Sequence, residues 1–209
     1  MYIPEHFRAR HHADAVAFMR ANPFALLISS TDDGPFATHL PLVIRDAGES
    51  LVLRGHVAKA NPHWQHLEQH PENTLAIFHG PHAYVSPTNY NTREVVPTWN
   101  YGAVHVYGRA QVYSAPNELL VMLHELIPMF EPAYAEQWAS LSQTYRDRML
   151  SHIVGFEIAV TRIEAKFKLS QNRTKEEQSH VMESLGGSRD TVVSGVAQLM
   201  REQGLGRKE

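Results

Sequence analysis

The chain has 209 residues, 43% of them hydrophobic and 20% charged, with a formal net charge of −3. That balance describes a globular protein with a sizeable core rather than a disordered chain, and it lacks the concentrated positive charge that nucleic-acid binding needs. There are no cysteines, so disulfides, thiolate zinc sites, iron–sulfur clusters and cysteine nucleophiles are excluded together.

The N-terminal stretch MYIPEHFRARHHADAV carries no apolar signal-peptide core. No window approaches the run of about 20 apolar residues that a membrane span requires. The expectation is a cytoplasmic protein without membrane contact. DAVAFMRANP predicts a short helix with Val16, Phe18 and Met19 among its apolar residues, ended at Asn22-Pro23 because the residue before a proline leaves the helical region. FALLISST reads as a buried strand, DDGP as a turn and FATHLPLVIR as a second strand, with DAGES leading into LVLRGH as a third. Pro41 removes a ladder donor from the second strand and marks a bulge or a backbone stretch that faces something other than a strand.

PHWQHLEQH predicts two to three helical turns stopped by Pro71, with Trp64 and Leu67 on the core side. TLAIFHG and HAYVSP read as two further strands, and TNYNTREVVPTWNY as a surface loop. GAVHVYGRAQVYS alternates Val104, Val106 and Val112 against polar neighbours. APNELLVMLHELIPMF and AEQWASLSQTYRDRMLSHI predict two amphipathic helices, and IVGFEIAVTRIEAKFKLSQ returns to strand with Val154, Phe156, Ile158 and Val160 in alternation. In the C-terminal segment, Thr174 and Glu177 have capping-box spacing, Gly186-Gly187 ends that helix, and Ser188 is placed as the cap of a last one with Val192, Val196, Leu199 and Met200 on one face. The layout is α+β and mainly β: six or seven antiparallel strands closed as a barrel, with helices between and after them.

The stretch RGHVAKANPHW, residues 54–64, sets two cations and two histidines where a strand turns into a helix. Three readings stand: an anion cradle, a metal site, or a solvated bend. His63, His66 and His70 share a helix face at ligand spacing, but no carboxylate joins them, and a solvated face accounts for them better than a metal. His11-His12 is a weaker pair still, His79 and His82 flanking Gly80-Pro81 at a strand end are better placed, and no metal site is assigned. No G-x-S-x-G, P-loop or G-x-G-x-x-G occurs, which excludes a Rossmann nucleotide site and leaves nucleophilic catalysis unsupported. Trp99 and Tyr101 have the chemistry to stack on a planar ligand and Asn100 to bond its edge, or else they close one end of the barrel. KFKLSQNR forms a second basic and polar cluster at a strand exit.

Taken in order, ATHLPL, RGHVAKANPHW, HGPHAYVSP, VPTWNYGAVHVYG and KLSQNR resemble the PaiB family of FMN-binding split-barrel proteins. The resemblance spans nearly the whole chain. It implies a six-stranded antiparallel split barrel over residues 1–170 with inserted helices, and a helical extension over 171–209 packed on it. It further implies a homodimer with cofactor sites at the interface. Ala37, Thr38, His39 and Leu40 would touch the flavin ring, and Arg54, His56, Lys59 and Asn61 would cradle the phosphate and ribityl chain. Trp99, Asn100, Tyr101, Lys168, Gln171 and Arg173 would complete the pocket from the same or the partner chain. No catalytic side chain is implied. The corresponding function is FMN binding, with flavin-dependent oxidoreductase or flavin reductase activity. One alternative is a negative transcriptional regulator acting through DNA or a small-molecule signal. The other is a haem-binding split barrel, which the 14 histidines keep open. Direct DNA contact finds little support, since the last helix has only Arg189 near its start.

Overall fold

The computed structural model describes residues 1–48 and 50–206. In chain order its elements are α1 (His12–Ala21), β1 (Phe24–Thr31), β2 (Gly34–Pro41), β3 (Val43–Asp46), β4 (Leu51–Ala58), α2 (His63–Gln69), β5 (Thr74–Val85), β6 (Thr98–Tyr113), α3 (Pro116–Phe130), α4 (Tyr134–Ser140), α5 (Gln143–Leu150), β7 (Ile153–Lys168), α6 (Lys175–Gly186) and α7 (Thr191–Glu202). The fold is α+β, as the sequence implies, with one strand more than six. The chain divides into two compact units. The first holds residues 1–18, 79–104 and the chain from 164 onward, and the second holds residues 19–78 and 105–163.

Within the second unit the strands follow the order β2-β1-β5-β6-β7-β4-β3. β1 pairs antiparallel with β2 and β5, and β4 with β3 and β7. The edge strands β2 and β3 are separated in sequence by Leu42 alone. A single linking residue cannot span the width of an open sheet, so the sheet curls until its edges meet, which is the closure of a barrel. Gly55 on β4 permits that approach. A Cβ there would sit 2.8 Å from Leu42 Cδ2 and 3.3 Å from Leu40 Cδ1.

This corrects the expected three-strand start. The segment 36–45 is not one strand: Pro41 ends the β1 ladder opposite Phe24, and Leu42 hands the chain to the far edge. Conversely, the two strands expected over 74–87 are one, β5, running through Gly80-Pro81. Its ladder with β1 covers Thr74 to Ile77, so Pro81 lies beyond that ladder, where its missing N–H costs no bond to β1.

Alternation fills the barrel. Ala25, Leu27 and Ser29 on β1, Leu51, Leu53 and Val57 on β4, and Val154, Phe156 and Ile158 on β7 are all buried. Outside it, Val43, Leu119, Met122, Leu126 and Leu150 form a cluster with Tyr113 and Ile153 against it. The helix expected over 135–153 breaks into α4 and α5, because Ser142 takes an extended conformation and accepts a hydrogen bond from Tyr145 N–H as the cap of α5.

In the first unit, the segment expected to loop as far as Tyr101 is already strand from Thr98. The capping box of α6 forms as expected between Thr174 and Glu177. The cap of α7 is Asp190 rather than Ser188: Asp190 Oδ1 accepts from Val192 N–H at 2.8 Å, while Ser188 Oγ accepts from Asp190 N–H. Val196, Leu199 and Met200 are buried, while Val192, on the same face in the first turn, remains 41% exposed.

Candidate functional site

On β4 the side chains alternate, so Arg54 and His56 share the face opposite the barrel core. Arg54 stands directly across the ladder from Glu157, and its Nε donates to Glu157 Oε2 at 3.1 Å. Its Nη1 donates to Glu125 Oε1 at 3.2 Å, and Arg45 pairs with the same carboxylate at 3.6 Å. A cavity of about 290 Å³ opens here, lined by Arg54, Gln111, Tyr113, Glu118, Val121 and Glu157. Burial pushes the Tyr113 hydroxyl up to about 12, against the pull of Arg54.

His56 lies across from Gly155, and a Cβ on Gly155 would collide with the Tyr113 ring and press on Leu119 Cδ2 at 2.9 Å. That position is glycine because the ring occupies the space. His56 Nδ1 is buried with no hydrogen-bond partner among the described residues, and burial lowers the imidazole pKa. An orphaned buried nitrogen is a costly feature that a ligand group would relieve.

Past β4 the chain turns through Lys59, whose N–H donates to His152 O at 2.8 Å and whose carbonyl accepts from Trp64 Nε1 at 3.0 Å. With its backbone held at both ends, the Lys59 side chain is exposed and its ammonium meets no carboxylate among the described residues. Asn61 Oδ1 accepts from His63 N–H at 3.0 Å, starting α2, and its Nδ2 donates to Thr38 Oγ1 at 3.2 Å.

The histidines of α2 do not share a solvated face. His63 is fully buried with Leu67, four residues on, and its ring bridges two strands: Nδ1 lies 2.8 Å from Thr38 Oγ1 and Nε2 3.0 Å from Ser29 Oγ. Burial, with a smaller push from His66, holds its pKa down to about 4, so it is neutral at physiological pH. Thr38 is half-buried, Ala37 and His39 are exposed, and Leu40 is buried in the barrel. The His39 ring stacks with Phe24 at 6.2 Å. Among the described residues no three histidine or acidic side chains gather as a metal site.

The remaining expected site residues belong to the first unit. Asn100 is fully buried, with Nδ2 donating to Ser170 Oγ at 2.9 Å and Ser170 Oγ returning a bond to Asn100 Oδ1 at 3.3 Å. It is consumed in the core. Lys168 Nζ donates to Thr98 Oγ1 and to Trp99 O, the latter at 2.9 Å. Its pKa is lowered by burial and by Lys166. Gln171 braces its own turn, accepting from Leu169 N–H and donating to Phe167 O. The Arg173 guanidinium lies 4.1 Å over the Tyr90 ring, and Lys166 lies 5.4 Å over Tyr101. Trp99 is 53% exposed beside His82 at 6.1 Å and Tyr84 at 6.3 Å.

Residues 1–162 match the family described as "Putative FMN-binding domain". The chain belongs to this family. It is 36% identical to the "Protease synthase and sporulation protein PAI 2" of Bacillus subtilis over 97% of this chain and 98% of that protein. An uncharacterized protein of Emericella nidulans is 31% identical, over 89% of this chain and 86% of its own length. Among solved structures, the flavocytochrome Anf3 of Azotobacter vinelandii superposes with a TM-score of 0.62 at 15% identity, covering 79% of this chain and 72% of that one. An FAD- and haem-binding protein of Mycobacterium smegmatis superposes at 0.55 with 15% identity, over 77% and 73% of the two chains. These agree on the split-barrel fold.

FMN asks for a dianion partner, donors for its ring and ribityl acceptors, and a surface along which to lie. Arg54 offers little to a phosphate, since its charge is already met by Glu125 and Glu157 and a third carboxylate, Glu118, lines the same cavity. Lys59 fits, as a cation that meets no carboxylate among the described residues. The Thr38 hydroxyl, half-buried beside Asn61 and His63, fits as a polar group for the ligand. Sequence reasoning missed His63, Ser29 and the three glutamates. The i, i+4 pair His63 and Leu67 was the available signal for the first, and nothing local marks the others.

Proposed function

We propose that this chain binds FMN along the side of its second unit formed by β2, β4 and the start of α2, and works as a flavin-dependent oxidoreductase. The observation that supports it best is the exposed Lys59 ammonium, which meets no carboxylate among the described residues and lies two residues before the Asn61 that bonds the Thr38 hydroxyl. Bound FMN supplies a ring that accepts and passes on two electrons, so the protein's task is to hold and shield it. Lys59 would neutralise phosphate charge, and Asn61 and His63 would hold Thr38. His63, neutral and enclosed by two hydroxyls, positions rather than titrates.

The Bacillus subtilis relative is named for protease synthesis and sporulation, which raises regulation as an alternative. Residues 174–203, spanning α6 and α7, carry three cations against five carboxylates, a poor surface for DNA. The test is oxidation of NADH or NADPH by FMN-loaded protein, with free FMN as acceptor. Donor oxidation above the rate of free flavin supports the oxidoreductase reading. Flavin uptake without turnover rejects it, and a Soret band on added haemin without flavin uptake would replace FMN by haem.

A further inference from the structure

The hydrogen-bond pattern around His63 fixes which way each proton points, and the result reaches the ligand side. Asn61 Oδ1 accepts from His63 N–H, which settles the amide orientation and makes Nδ2 the group facing Thr38 Oγ1. Ser29 is fully buried, and among the described residues its hydroxyl meets no partner but His63 Nε2, at 3.0 Å. A buried hydroxyl proton needs an acceptor, so Ser29 donates and Nε2 accepts. A neutral imidazole carries one proton, which therefore sits on Nδ1 and is donated to Thr38 Oγ1 at 2.8 Å. With Asn61 Nδ2 donating to the same oxygen, both Thr38 lone pairs are taken. Its own hydrogen has no acceptor among the described residues.

We propose that Thr38 is a fixed hydrogen-bond donor to an acceptor oxygen or nitrogen of the bound flavin, and that His63 is the positioning residue that makes it one. The inference rests on the flavin reading above. The arrangement selects against a ligand that offers a donor at this point, because Thr38 cannot accept without breaking the Ser29–His63–Thr38 order. A hydroxyl free to rotate would tolerate either, at an entropic cost on binding.

Two measurements test it. Nitrogen-15 spectra of the ligand-free protein at neutral pH should show His63 protonated on Nδ1 and bare on Nε2, a signature that a merely packed ring has no reason to prefer. FMN and riboflavin are then titrated into wild type, Thr38→Ser and Thr38→Val. Thr38→Ser should bind within about twofold of wild type and Thr38→Val about tenfold more weakly. Loss for both flavins places the acceptor on the ring or ribityl chain, and loss for FMN alone places it on the phosphate. An Nε2-protonated His63, or a Thr38→Val protein that binds as well as a binding-competent wild type, overturns the proposal. Wild type that binds neither flavin instead sinks the functional reading, and this inference with it.

Discussion

Acidification should destabilise this protein most through His63, with His56 and His79 acting in the same direction. Its folded pKa lies near 4 against an ordinary 6.5, so between those values the unfolded chain binds a proton that the native state refuses. Stability is therefore fully present above about pH 6.5 and is lost as pH falls toward 4. At about pH 5, linkage gives a loss of about 2 kcal/mol relative to neutral pH. For a chain of this size that is a fall in Tm of about 4–8 °C. Thermal unfolding followed by circular dichroism at about pH 7.5 and pH 5, on wild type and His63→Gln, isolates the residue from the other histidines. The variant starts less stable, because Ser29 and Thr38 lose a shared partner, but its Tm should fall less with acid. Parallel pH dependences would refute the reasoning, since they would mean that the buried ring either protonates freely or does not sit between those hydroxyls.

Gly155→Ala should lower Tm by on the order of 5 °C, because its Cβ would meet the Tyr113 ring and Leu119 and overpacking costs about 1–3 kcal/mol; an unchanged Tm would show that Tyr113 can move aside. Lys59→Ala should weaken FMN about tenfold while leaving riboflavin unchanged, read by fluorescence quenching. Equal loss for both would remove Lys59 from the phosphate. Arg54→Ala should act mainly on stability, lowering it by about 1–2 kcal/mol in urea unfolding as Glu125 and Glu157 lose their shared cation, with a smaller effect on FMN than Lys59→Ala. The reverse ranking would return Arg54 to the phosphate.

Local patterns were readable in the sequence. Strict alternation marked β7, Thr174 and Glu177 marked the start of α6, and the ordered motifs marked the family and its barrel. What the sequence did not reveal depends on contacts between distant residues. Nothing near Leu42 says that the chain there crosses from one sheet edge to the other, because closure is a property of seven strands together. The spacing of His63, His66 and His70 says that they share a helix face but not where that face points. Trp64 drew the core side toward itself, whereas His63 and Leu67 hold it. Arg54 looked like a free cation because its carboxylate partners lie 71 and 103 residues away.

The central claim is that the β2–β4–α2 side holds FMN, and titration of the purified protein with FMN tests it most directly. The flavin absorption bands should shift and sharpen and the fluorescence quench to a saturable end point near one FMN per chain. Spectra that remain those of free FMN through a large excess would contradict the account.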